Sequence, residues 1–324
     1  MDKIQINEEK ITIGTKYPLD GLLTIPTIGT APYPAVVLVH GSGANDMNEK
    51  VGNTYTFRDL AEGLAERGIA VIRYNMRTFS YAEKMEKEEK ERRKKMGKKY
   101  SSDFSVKEEK IEDAVLATDF LRKDARINPE KIFILGHSLG GMLAPRIDAE
   151  GGNFAGLIIF GASPRKLEKI MIDQQNDYLK TANFFIKWIA KKQFRKLREK
   201  FAKMYEMTDA EAMTTPLFGK YSMIYYLKEM GEKPSEKYLE NLEKPVLVMQ
   251  GEADFHVSVE KDFEKYKEIL ANHSNATFKL YPNLNHLFMP SVYGDIKLAM
   301  KEYEKPQKVE EYVINDIAEW IKSV

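Results

Sequence analysis

Ser138 lies in Gly136-His137-Ser138-Leu139-Gly140-Gly141, directly after the apolar run Ile132 to Leu135. A hydroxyl between glycines at the end of a buried strand can serve as a nucleophile. Glycines at 136 and 140 remove side chains that would clash in a sharp turn, and a helix opening at the serine aims free N–H groups toward it. The pattern alone recurs by chance, and a glycine-rich strand-to-helix connection is the plain alternative. That alternative needs no hydroxyl, and a strand before the serine with a helix after it favours the nucleophile.

Serine is a weak nucleophile and needs a base. The chain has five histidines, at 40, 137, 256, 273 and 286. His137 adjoins the serine, but the turn directs its side chain elsewhere, which reads as packing. His40 precedes a glycine turn and braces it. His273 sits in the polar turn "ANHSNA" and is expected at the surface. His286 follows the last predicted strand by five residues, in "YPNLNHLF", on a loop able to reach the carboxyl edge where Ser138 stands. His286 is therefore the expected base. A base needs an orienting carboxylate. Asp254 in "VLVMQGEADFHV" stands just past a strand end, 32 residues before His286. Glu252 competes but lies nearer the turn glycine, and His256 reads as surface or pocket lining.

Charge developing on an attacked carbonyl needs N–H donors, each worth about 3 kcal/mol in the transition state. The backbone N–H of Leu139 is one candidate. The other is the backbone N–H of Ser42 in "HGSGAN", whose hydroxyl is also available; alone, that stretch would be an ordinary turn.

The elements that must hold these groups alternate. "ITIGTK" and "LDGLLTIP", within residues 3–25, read as antiparallel edge strands. "AVVLVH" (35–40) is a continuous apolar run suited to a central parallel strand covered on both faces, "IAVIRYN" reads as another buried strand, and Ile132 to Leu135, "AGLIIFGAS", "KPVLVMQ" and "ATFKLY" read as further strands. "FRDLAEGLAERG" reads as a helix. Ser105 with Glu108 forms a capping-box pattern before a helix carrying Ile111, Ala114, Val115, Thr118 and Leu121. A last helix is expected over 306–322. Strand–helix alternation implies a parallel sheet with crossover helices. Residues 165–243, helical and aromatic, break the rhythm and read as an inserted cap, leaving 1–164 and 244–324 as the catalytic domain.

Within the cap, Phe184, Phe185, Trp188 and Ile189 recur at helical spacing, and Phe194, Leu197, Phe201, Met204 and Tyr205 do so out of phase. Two helices, or one with a kink, would explain the shift. Residues 187–200 carry seven Lys/Arg and one Glu. A lid packing its apolar face on the body is the main reading, with a membrane-surface helix or a partner-binding face as alternatives. Residues 83–100 are nearly all charge and read as a solvated helix or loop rather than a functional basic patch.

The 324 residues are 43% hydrophobic, enough for a sizeable core, and carry net charge +1. No global field directs the protein to nucleic acid or an anionic membrane. No apolar run approaches the roughly 18 residues that span a bilayer. The N-terminus does not read as a signal peptide, and there is no Cys for disulfide or thiol chemistry. A soluble, cytoplasmic protein is expected, with a homo-oligomer left open.

"LVHGSG" (38–43), "GHSLGG" (136–141), "GEAD" (251–254) and "NH" (285–286) stand in the order oxyanion loop, Ser, Asp, His. In this the chain resembles an α/β-hydrolase. The segment "HGSGANDMNEKVGNTYTFRDLAEGLAERGIAVIRYNMRT" resembles bacterial carboxylesterases near the cinnamoyl esterases, dienelactone-hydrolase-like proteins and acyl-peptidases. Dienelactone hydrolases use a Cys nucleophile, absent here. "YNMRTFS" departs from the Arg-Gly loop common in relatives, although Arg77 keeps the arginine. The resemblance implies an α/β-hydrolase fold, with a mostly parallel eight-stranded sheet flanked by helices and an inserted helical cap, and hydrolysis of a small-molecule carboxylic ester. Ser138, His286 and Asp254 are the expected triad, and Ser42 and Leu139 the expected oxyanion hole, with no metal or cofactor. A peptidase or thioesterase on the same triad, a lipid-surface lipase, and a binding protein on a hydrolase shell are the rivals.

Overall fold

The computed structural model describes residues 6–97, 102, 104–181, 183–218 and 222–324. Eight strands make one sheet: β1 (Asn7–Ile13), β2 (Leu19–Ile25), β3 (Tyr33–Val39), β4 (Ala70–Tyr74), β5 (Ile127–His137), β6 (Leu157–Phe160), β7 (Val246–Gly251) and β8 (Ala276–Tyr281). Across the sheet they run β1-β2-β4-β3-β5-β6-β7-β8. β1 pairs antiparallel with β2, and β2 with β4; all other neighbours are parallel. The edge strand β1 is largely exposed, whereas β3 to β7 are buried along most of their length. Continuous apolar runs went to the doubly covered centre, as their lack of alternation predicts. Residues 3–5 of the first expected strand lie outside the described residues.

Register decides which side chains share a face. Val36 stands opposite Phe133 and Leu38 opposite Leu135; Leu135 in turn faces Ile158, and Leu247 faces Ile158. These residues belong to one buried cluster with Phe57, Leu60 and Leu64 of α1 (Thr56–Ala65) and Val313, Ile317 and Trp320 of α4 (Glu311–Ser323). A one-residue slip in any strand would turn that row away from the two helices. Helices α2 (Glu112–Arg122) and α3 (Leu139–Ile147) supply no member of this cluster and pack instead on β3, β5 and β6. At the expected capping box the Glu108 side chain accepts from both Ser105 N–H and Ser105 Oγ. A wide turn over Lys107–Ile111 then leads into α2.

The last helix begins five residues later than the expected 306. Glu310 is extended (φ −60°, ψ 134°), and the Val309 N–H is taken by Asp59 Oδ2 at 3.3 Å, so this stretch is used in tertiary contact instead of helix.

Contacts divide the chain into two compact units. One comprises Met1–Ser80, Lys110–Pro164 and Ser235–Val324 and holds the whole sheet; the other comprises Tyr81–Glu109 and Arg165–Pro234. The expected division at 165–243 differs from this in two places. Residues 81–109 join the second unit, where Phe104 stacks on Tyr226, Tyr226 OH donates to Glu109, and Ser102 N–H donates to Met213 O at 2.9 Å. Residues 235–243 join the first, where the helical turn Ser235–Leu239 packs on α3.

In the second unit Ala82–Met96 is a helix with no buried residue, laced by pairs such as Lys90–Glu86, in keeping with a solvated segment. The last residues of that charged run, 98–100, lie outside the described residues. Phe184–Lys203 is one helix of 20 residues, not two. The phase shift in its apolar positions is a change of environment. Phe201 and Met204, with Leu197 against them, join the unit's own cluster, while Phe184, Phe185 and Trp188 are exposed.

Trp320 is buried at the base of the main cluster, its ring edge-on to Phe133 with centroids 5.8 Å apart. Trp320→Ala should destabilise the fold by about 3–5 kcal/mol in denaturant titrations; a loss below about 1 kcal/mol would contradict this packing.

Candidate active site

Because β3, β5, β6, β7 and β8 are parallel, their carboxyl ends share one edge of the sheet. Every residue singled out above for chemistry leaves from that edge. β3 runs into His40 and Gly41, β5 into Ser138, β7 into Asp254 and β8 into His286.

Ser138 sits at φ 52° and ψ −115°, a conformation that non-glycine residues rarely adopt, and α3 starts directly after it. The neighbouring glycines make the turn feasible. A Cβ on Gly140 would lie 2.1 Å from Val39 O, and one on Gly136 would lie 2.3 Å from Gly140 O. The turn is pinned by Ser138 N–H donating to Phe160 O at 2.9 Å. Leu139 N–H, the first of α3, has no partner within its helix.

His286 and Asp254 come together. His286 Nδ1 is 2.7 Å from Asp254 Oδ2, with the Asp254 side chain fully buried. Asp254 Oδ1 accepts from the N–H groups of His256 (2.7 Å) and Val257 (3.0 Å), and Oδ2 also accepts from Gln250 Nε2 (3.2 Å). Burial alone would raise this carboxyl; the His286 ring and the backbone donors outweigh it and hold the group below the ordinary aspartate value. An ionised Asp254 only accepts, so Nδ1 of His286 carries a hydrogen, and in the neutral ring Nε2 is the nitrogen able to accept. Glu252 is exposed and takes no part.

The His286 loop is fixed by the first residue of the "NH" pair, to which the sequence gives no role of its own. Asn285, fully buried, accepts from Leu287 N–H (2.9 Å) and Met289 N–H (3.2 Å) and donates to Glu302 Oε1 (2.7 Å). Phe288 at φ 58° stacks on Phe160 with ring centroids 3.6 Å apart. A Cβ on Gly161 would fall 3.5 Å from His286 Nδ1, so His286 and Ser138 both border the Phe160–Gly161 corner.

His137 is more than packing. Its Nε2 donates to His286 O at 3.1 Å, and its Nδ1 lies 2.9 Å from Glu49 Oε2, an ion-pair contact short of hydrogen-bond alignment. Glu49 also accepts the Gly41 N–H at 2.7 Å. Gly41 O in turn accepts from Lys110 Nζ at 2.8 Å. Gly41 borders the nucleophile turn, since a Cβ there would be 3.1 Å from Ser138 Cβ. Ser42 follows and is exposed, and among the described residues its N–H donates to no protein group. Nothing in local spacing marks Glu49 or Lys110: Glu49 lies in a polar loop, and Lys110 directly precedes Ile111 of the expected helix.

The other histidines are placed as follows. His40 is buried, and its Nε2–H donates to Asp46 O at 3.0 Å, bracing the loop as expected. His256 is half-buried with its ring 4.7 Å from that of His286; burial, then the His286 charge, pushes it down to about 3. His273 is half-buried instead of exposed. Arg77 is buried and forked onto Asp113, tying its loop to α2. Among the described residues no cluster of His, Asp and Glu has the arrangement of a metal site.

Residues 30–290 match the family described as serine aminopeptidase, S33. The chain belongs to this family. As an S33-family hydrolase it is 32% identical to esterase EstD of Thermotoga maritima over 321 residues, 99% of this chain and 69% of EstD. In fold it is similar to the Pyrococcus furiosus esterase Pf2001 (TM-score 0.55, 17% identity, 98% of this chain and 90% of that one). It is likewise similar to Est1E of Butyrivibrio proteoclasticus (TM-score 0.52, 16% identity, 95% and 99%). The fold is that of the α/β-hydrolases, and no helix among the described residues is long and apolar enough to cross a membrane.

His40 supplies a pH test. It is surrounded by Glu49, Lys110, His137 and the rings of Phe57 and Tyr74, and burial pushes it down to about 4 from 6.5. The unfolded chain therefore takes up a proton before the folded one does. Stability is full above pH 6.5 and falls as pH drops toward 4, by on the order of 3 kcal/mol from this residue. His40→Gln should flatten, though not abolish, the acid slope of unfolding free energy, because His256 still titrates; an unchanged slope would refute the assignment.

Proposed function

We propose that the protein hydrolyses carboxylic esters through an acyl-enzyme, with Ser138 as nucleophile, His286 as base and Asp254 as the carboxylate that orients it. The observation that carries this reading is the 2.7 Å His286–Asp254 hydrogen bond, which leaves Nε2 available at the edge where Ser138 stands on its strained turn. In the first step Ser138 Oγ bonds to the ester carbonyl carbon while His286 Nε2 takes the hydroxyl proton. Negative charge on the carbonyl oxygen is met by the N–H groups of Leu139 and Ser42. Collapse breaks the bond to the alcohol oxygen, which leaves with the proton from His286. Water then repeats the cycle on the acyl group and regenerates Ser138.

The kinship with EstD, together with the fold shared with Pf2001 and Est1E, supports esters as the substrate class. Short-chain or aryl esters of the acetyl or cinnamoyl kind are the substrates we favour. The second unit is taken as the cap on chain order alone, since it enters mainly between β6 and β7. The family description favours one second reading, an aminopeptidase on the same residues.

Ser138→Ala should lower hydrolysis of a short aryl ester by at least about 1,000-fold and abolish labelling by a fluorophosphonate. Persistence of either near the wild-type level would refute the nucleophile. Side-by-side rates on aryl esters, acyl-CoA and aminoacyl anilides should favour the esters; faster anilide cleavage would establish the peptidase instead.

A further inference from the structure

Glu49 is a buried charge outside the triad. It is nearly inaccessible and held at φ 47°, in the left-handed region that a side chain of this size seldom enters. A position so constrained must be held by its surroundings. Its two oxygens do different things. Oε1 takes the Gly41 N–H at 2.7 Å, and Oε2 lies 2.9 Å from His137 Nδ1.

The protonation of His137 follows from its partners. Nε2 faces the carbonyl of His286, which only accepts, and Nδ1 faces a carboxylate. Nε2 therefore carries hydrogen, and a charged ring opposite an ionised Glu49 is the state that each partner favours in the other. Burial opposes both charges, but each outweighs it for the other: His137 lies above its ordinary value and Glu49 below. His137 and His286 have ring centroids 4.8 Å apart, so the ring that Glu49 holds directly adjoins the ring of His286.

The other end of Gly41 is held as well. Lys110 Nζ, buried, donates to Gly41 O at 2.8 Å. In a trans peptide the N–H of Ser42 points opposite to the Gly41 carbonyl. A donor on that carbonyl fixes the plane of the peptide and polarises its N–H.

We propose that Glu49 and Lys110 are positioning residues that hold Gly41 from its two sides, Glu49 on its N–H and Lys110 on its carbonyl, so that the Gly41–Ser42 peptide stands as an oxyanion donor, and that Glu49 couples this loop to the His286 loop through His137. The proposal rests on the Ser138–His286–Asp254 reading above. It accounts for two buried charged residues that touch none of the reacting groups yet meet at one glycine beside the nucleophile.

The test uses Glu49→Gln, which keeps the shape and loses the charge, and Lys110→Met, which removes the donor. Each should lower kcat for a short aryl ester by about tenfold or more per fluorophosphonate-titrated site, leave KM within twofold, and slow the labelling of Ser138 without changing its final stoichiometry. A purely structural role would lower the melting temperature while leaving kcat per titrated site unchanged, and that result overturns the proposal. Should Glu49→Gln fail to fold, Lys110→Met carries the test alone, and a wild-type kcat there overturns the clamp. Retained hydrolysis in Ser138→Ala would instead bring down the triad reading, which separates the two failures.

Discussion

A carboxylate stripped of water must be given partners, and the site is organised around that requirement at Asp254. Four groups meet it: the His286 ring, two backbone N–H groups of its own loop and the amide of Gln250 at the end of β7. Two partners come from the loop after β7 and one from the strand itself, so the acid arrives prepared. The fourth partner, His286, comes from the next strand, and its loop needs separate bracing by Asn285, Glu302 and the Phe288–Phe160 stack. Losing any partner leaves a buried oxygen under-satisfied, which costs more than the hydrogen bond alone. The geometry is thereby confined to a narrow range before any substrate arrives.

Charge is handled in the same manner one layer out. Glu49 and His137 each favour the charge on the other, and Arg77 offsets the burial of Asp113 at the start of α2. Such pairs contribute little net stability, because desolvation offsets most of the attraction. What they supply is definition: each side chain has one arrangement that satisfies all its neighbours. This places three loops, after β3, β5 and β8, in fixed relation although they share no secondary structure.

The parts of this arrangement legible in the sequence are those whose chemistry and backbone signal coincide. Ser138 follows an apolar run and sits between glycines; Asp254 and His286 each follow a strand-like run, and strand ends in a parallel sheet share an edge. The central strands are equally legible, since only doubly buried strands are apolar throughout. Glu49 and Lys110 are not, because their neighbours in the chain are polar and their partners are remote. "NDMNEK" and "VKEEK" are polar stretches from which the fold turns one charged residue each inward. His137 reads as packing because the turn directs it away from Ser138, and its partners Glu49 and the His286 carbonyl are remote in the chain. The out-of-phase aromatics near 184–205 misled in another way: a helix can change partners along its length without breaking.

The sheet is assembled from pieces that are far apart in the order of synthesis. β1 to β6 are made first, the second unit's main segment follows, and β7, β8 and α4 come last. Until Ile317 and Trp320 emerge from the ribosome, the cluster that buries Val36, Leu38, Phe133 and Leu135 lacks its last helix. A nascent chain of this design holds its nucleophile turn early and acquires its acid and base late. The core can close only after α4 has been made, and a chain that waits this long with apolar surface uncovered is open to aggregation in the meantime.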